Sequence, residues 1–142
     1  MFSKVLNQRK KGEYPSGLLQ DTIDKVSAFS EAHFGCPLPT GYAMFLKEAN
    51  GFSYDGHSVF CCYNNEIKTV FPRYKGLDFV TFNAKFYLNT DIYSYLMLGK
   101  SSIDYLCYEK ASQKYVIMTN GTMQHITEAD DFNVLLKSFY GL

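Results

Sequence analysis

The sequence has no tryptophan, only two arginines (Arg9 and Arg73), four prolines, and no net charge across its 142 residues. Each shortage excludes something. A dedicated nucleic-acid binder takes its phosphate contacts from a dense Lys/Arg patch, which zero charge and two arginines do not provide. No run of about 18 apolar residues occurs, so no transmembrane helix is expected. The first residues reach charge at Lys4 before an apolar signal region can form, and a cytoplasmic protein is expected. Cys36, Cys61, Cys62 and Cys107 show no C-x-x-C spacing, and neighbours such as Cys61 and Cys62 on a strand point to opposite faces. They are read as buried, reduced thiols rather than disulfide partners or metal ligands.

What is present is apolar and aromatic: 46% of residues are hydrophobic and 17% are Phe or Tyr. That is well above the range of disordered chains. A chain of this length buries about two thirds of its unfolded surface, enough for one core, so a single domain is expected. The zero charge is unevenly spread. Lys4, Arg9, Lys10 and Lys11 against Glu13 give residues 1–13 a charge of +3, leaving −3 for residues 14–142. The division expected is a basic, solvated N-terminal arm (1–13) ahead of a mildly acidic domain (14–142).

Leu19, Ile23, Val26, Phe29 or Ser30, and Phe34 recur at helical spacing. Asp21 and Asp24 sit where the helix dipole favours negative charge, and Gly35 is suited to a left-handed stop. Cys36-Pro37-Leu38-Pro39 must be extended, because each proline biases its predecessor away from helix. Tyr42, Phe45, Leu46 and Ala49 then form one apolar stripe ending at Asn50-Gly51. Tyr54-Asp55-Gly56-His57 has turn chemistry, and Ser58-Val59-Phe60-Cys61-Cys62-Tyr63 reads as a strand. Residues 64–76 read as connection, with a short strand at Thr69-Val70-Phe71. Over residues 77–88, Phe79, Phe82 and Phe86 favour a helix against the strand propensity of Phe79-Val80-Thr81-Phe82. Strands follow at 95–99, 103–108, 114–119 and 122–127, the last two joined through Asn120-Gly121 as a type I′ hairpin. Thr127-Glu128-Ala129-Asp130 reads as a capping box before a helix that buries Phe132, Leu135, Leu136 and Phe139. The fold class expected is α+β: an antiparallel sheet of about five to six strands packed by N-terminal and C-terminal helices.

Motifs for chemistry are missing. There is no phosphate-binding G-x-x-x-x-G-K-[ST], no dinucleotide G-x-G-x-x-G, no H-E-x-x-H and no G-x-S-x-G. His33, His57 and His125 fall on different elements, and no metal-ligand spacing links them to the cysteines. No enzyme, cofactor or metal is expected. On residues 103–108, alternation puts Ile103, Tyr105 and Cys107 on one face and Asp104, Leu106 and Tyr108 on the other, which leaves a mixed polar and aromatic face suited to recognition. The residues expected to contact a partner are Tyr54, Asp55, His57, Asp104, Tyr105 and Glu109, at turns or on that strand.

Leu38-Pro39-Thr40-Gly41-Tyr42-Ala43-Met44-Phe45-Leu46-Lys47-Glu48-Ala49-Asn50-Gly51 resembles the L-P-x-x-Y-x-x-F-L-x-x-x-N-G signature of the SUKH superfamily of Smi/Knr-type domains. Leu38, Pro39, Tyr42, Phe45, Leu46, Asn50 and Gly51 all match, and the similarity in element order spans about residues 19–140. These motif residues are mainly architectural, so they speak to fold more than to activity. The resemblance implies a non-catalytic intracellular module that binds a protein partner. In bacteria many such members act as immunity proteins that neutralise polymorphic toxins, often nucleases, and fungal members act as scaffolds. A toxin domain is therefore the expected partner, with an adaptor or regulatory scaffold as the alternative. A body at −3 steers a basic nuclease less strongly than such inhibitors usually do.

Overall fold

The computed structural model describes residues 2–9, 14–62 and 77–142. The expectations for residues 63–76, including the strand at 69–71, and for residues 10–13 of the basic run lie outside them. Among the described residues are five helices: α1 (Ser3–Leu6), α2 (Gln20–Phe34), α3 (Thr40–Glu48), α4 (Phe79–Asn89) and α5 (Phe132–Phe139). Six strands, β1 (Phe52–Tyr54), β2 (His57–Val59), β3 (Tyr95–Lys100), β4 (Asp104–Glu109), β5 (Lys114–Thr119) and β6 (His125–Ala129), form one antiparallel sheet in sequence order. The chain is thus an α+β domain with a meander sheet.

Directly paired residues share a face of a sheet. Lys100, Tyr105 and Met118 are cross-strand partners, as are Met97, Cys107 and Val116; together they define one face. Phe52 and Val59, Leu106 and Ile117, and Tyr108 and Tyr115 define the other. The second face carries most of the helical packing. Phe132 of α5 meets Tyr115 at 5.1 Å, Phe45 at 6.0 Å and Tyr42 at 6.1 Å between ring centroids. The stripe Tyr42, Phe45, Leu46 and Ala49 is wholly buried, as the period requires, and the Tyr42 hydroxyl donates to Phe60 O at 2.6 Å. On α5, Phe132, Leu135, Leu136 and Phe139 are buried as expected.

Several local expectations are corrected. The apolar half of the arm is part of the core: Phe2, Val5 and Leu6 are buried, and the Phe2 ring lies edge-on to Phe45 at 5.3 Å. Charge counting missed this because the three apolar residues share a short segment with Lys4 and Arg9, Phe2 ahead of Lys4 and Val5 and Leu6 after it. On α2 the inward residue is Ser30, whose hydroxyl donates to Cys36 O at 2.6 Å, while Phe29 and Leu19 are exposed. Gly35 ends α2 in the left-handed region at φ 75°, as read from the sequence. Thr127 caps nothing, since β6 runs through it; Asp131 caps α5 by accepting from Asn133 N at 2.8 Å. The type I′ geometry belongs to Asp55-Gly56, with φ 50° and 74°, and not to Asn120-Gly121. A five-residue connection joins β5 to β6, with positive φ at Gly121 and Met123, and Met118 pairs with His125. Ile103 precedes β4 and is exposed.

Two buried asparagines act as strand substitutes. β2 pairs with β3 at Lys100 and Gly99, and Phe60 N, just after β2, donates to Leu98 O at 2.8 Å, which leaves Met97 beyond the reach of β2. α4 lies along that stretch of the β3 edge: Asn83 Nδ2 donates to Met97 O at 2.9 Å and Asn83 Oδ1 accepts from Met97 N at 2.8 Å. A side-chain amide thus makes the pair of bonds a neighbouring strand would make, and the edge is closed. Asn50 does the same to Cys62, with both bonds at 2.8 Å. Gly51 follows at φ 89°, a conformation that favours glycine, and sends the chain from α3 into β1.

Candidate functional site

The six residues expected at a binding site do not form one patch. Tyr54, Asp55 and His57 lie together on the β1–β2 hairpin. Asp55 is exposed at the turn, while the Tyr54 ring is half-buried and stacks 6.4 Å from Phe52. His57 rests against Phe139 at 5.0 Å and Tyr140 at 5.9 Å. Asp104 and Tyr105 begin β4 at the same end of the sheet, on opposite faces. Tyr105 is wedged by α4, 6.1 Å from Phe82 and 6.0 Å from Phe86, so much of its ring is committed to packing. Glu109 ends β4, about 17 Å further along the strand.

Around Glu109 the structure assembles a cluster that sequence reading did not find. The Tyr95 hydroxyl and His125 Nε2 are 2.6 Å apart, and Glu109 Oε2 lies 3.9 Å from the same nitrogen. Ser112, on the following turn, donates to Glu109 Oε1 at 2.5 Å. Lys114 and Glu128 form an ion pair at 3.7 Å beside it. Tyr95 and His125 come from β3 and β6, with two strands between them, a span of about 14 Å in a flat sheet. Their side chains therefore lie across the face, above the fully buried Cys107 and Val116. Nothing in the local sequence signals this pair, because its members are 30 residues apart and neither belongs to a motif.

The electrostatics follow from these contacts. The hydrogen bond from Ser112 is the largest influence on the Glu109 carboxyl and holds it below its ordinary value; Tyr95 and His125 add to the effect. Burial raises the Tyr95 hydroxyl, and the neighbouring Glu109 pushes it the same way. The cluster is therefore an anionic carboxylate ringed by hydroxyls and an imidazole, all held in place by one another. Beneath it the Cys107 thiol is pushed far up by burial, which leaves it protonated and a poor nucleophile.

The motif residues carry structure. Tyr42, Phe45, Leu46 and Asn50 are buried in the contacts described above, and Leu38 is also buried. Pro39 precedes the first turn of α3, whose Gly41 N–H donates to the Tyr115 hydroxyl at 2.9 Å. Among the described residues, no three His, Cys, Asp or Glu side chains gather as a metal site, and no helix is long and apolar enough to cross a membrane. No protein-family model matches the chain, and no curated protein matches it.

Proposed function

We propose that this protein is a non-enzymatic binding module, an immunity protein that neutralises a bacterial toxin domain by direct contact. The observation that carries this reading is the sheet face bearing Tyr95, Glu109, Lys114, His125 and Glu128. Its polar and aromatic side chains stand over a closed core and are fixed by mutual hydrogen bonds and ion pairs. A surface so ordered before binding loses little side-chain freedom when a partner docks, and Tyr and His supply contact area together with hydrogen bonds. The resemblance of the α3 region to SUKH domains supports the same reading.

The mechanism is occlusion: the toxin domain seats on β3 to β6, with Glu109 accepting a basic group and Tyr95 and His125 packing beside it. Asp104 and Glu109 stand at opposite ends of β4 and, five residues apart on a regular strand, on opposite faces, so Glu109 is tested alone. This reading expects a toxin gene to adjoin this one and co-expression to restore growth under that toxin, with Glu109→Lys removing the rescue while the unfolding midpoint stays unchanged. Failure of the wild-type chain to rescue contradicts the toxin reading. Recovery of a housekeeping protein with no toxin in a pull-down supports the adaptor alternative instead.

A further inference from the structure

At the opposite end of the sheet from Glu109, the β1–β2 hairpin, the end of β3 and the loop after it surround a cleft of about 310 Å³, which Arg9 and Leu77 also line. Two of its serines are buried, Ser58 at 7% and Ser101 at 4% exposure. A buried hydroxyl normally finds partners for both its proton and its oxygen. The Ser58 and Ser53 hydroxyls lie 2.8 Å apart. Two hydroxyls share that single bond, so one proton remains to be donated. Ser101 Oγ already accepts from Asp104 N at 3.0 Å and from Ile103 N at 3.3 Å, so what it has left is its own proton.

The charge around these donors is of one prevailing sign. Lys100, paired with Ser58 across the strands, has its ammonium 5.9 Å from the Phe82 ring centroid. Among the described residues no carboxylate comes within ion-pair distance of it. The Arg9 guanidinium also lines the cleft, 5.8 Å from the Tyr54 ring centroid. Among the described residues of the lining, Asp55 is the one carboxylate, and it sits exposed on the hairpin turn. Hydroxyl protons left to donate, beside the Lys100 ammonium, call for an oxyanion.

We propose that this cleft binds the phosphate group of a small organic phosphate monoester. A tetrahedral phosphate accepts from the Ser53/Ser58 pair and from Ser101 in different directions while the Lys100 ammonium offsets its charge. The cleft is larger than a phosphate alone, and Tyr54 and Leu77 provide an apolar wall for the organic part. The site lies at the opposite end of the sheet from the Tyr95, Glu109 and His125 cluster, and it stands or falls independently of the protein-binding reading.

The test is an amide-resolved NMR titration of the full chain with inorganic phosphate, phenyl phosphate and phenol. Phenyl phosphate produces saturable shifts at Gly56, Ser58 and residues 100–102, binding tighter than inorganic phosphate, and phenol produces none. Lys100→Gln weakens phenyl phosphate binding about tenfold, the loss expected for one charged hydrogen bond, at an unchanged unfolding midpoint. Lys114→Gln, on the other site, leaves it unaltered. Shifts that never saturate, or an equal loss from Lys100→Gln and Lys114→Gln, overturn the proposal.

Discussion

Asn50 shows how a single side chain links motif and fold. Its amide makes both bonds to the Cys62 backbone in a buried setting, so replacing it removes two bonds and strands an N–H and a C=O together. Asn50→Ala is expected to cost about 2–4 kcal/mol in denaturant unfolding. Asn50→Asp is also destabilising, because the carboxylate keeps the bond from Cys62 N–H but faces the Cys62 carbonyl as a buried charge. Glu109 offers a second test at this scale. Ser112→Ala is expected to raise its pKa toward the ordinary carboxylate value, read by NMR titration of the carboxyl group. The sign for stability follows: a depressed carboxyl stabilises the fold above its unfolded pKa, and this contribution disappears as pH falls through the folded value. Removing Ser112 therefore flattens the acid limb of the stability profile.

Periodicity made some elements legible and left others dark. The stripes of α3 and α5 were readable because apolar residues at i, i+3, i+4 and i+7 have one physical explanation, a face toward the core. The inward position of α2 between Phe29 and Ser30 was not settled by period alone. The structure selects Ser30 because its hydroxyl closes the turn to Cys36, a polar contact that an apolar pattern cannot register. The Asn83 contact with β3 and the Tyr95–His125 pair were invisible for the same reason: both join residues far apart in sequence through polar atoms. The N-terminal element is the case where charge misled. Phe2 packs edge-on to Phe45 at 5.3 Å and to Phe132 at 6.2 Å, joining α1 to α3 and α5. Phe2→Ala is expected to cost about 3–5 kcal/mol in equilibrium unfolding, as for other fully buried phenylalanines. A loss under 1 kcal/mol would show that the segment is an arm after all.

For the whole molecule, zero net charge conceals an asymmetry between the two faces of the sheet. Most helices pack on one face of the meander, with α4 laid along the β3 edge, so the ordered polar cluster of the other face is presented on a rigid support. All four cysteines are buried and outside any disulfide, and burial pushes the Cys62 and Cys107 thiols up. Native protein is therefore expected to react with a thiol reagent only at the rate of unfolding, and denatured protein at once. Fast labelling of the native state would mean that the sheet opens far more readily than its packing implies. The α+β class and the sheet were readable from the sequence, whereas the candidate site was found only where the fold brings strand ends together.

The surface on β3 to β6 is proposed to be preformed for a protein partner. It is tested by amide NMR of the labelled chain mixed with the C-terminal domain of the protein whose gene adjoins this one. A stoichiometric complex is expected, with its perturbed amides on β3 to β6 around Tyr95, Glu109 and His125. Absence of a complex, or perturbations confined to α2 and α3, would contradict it.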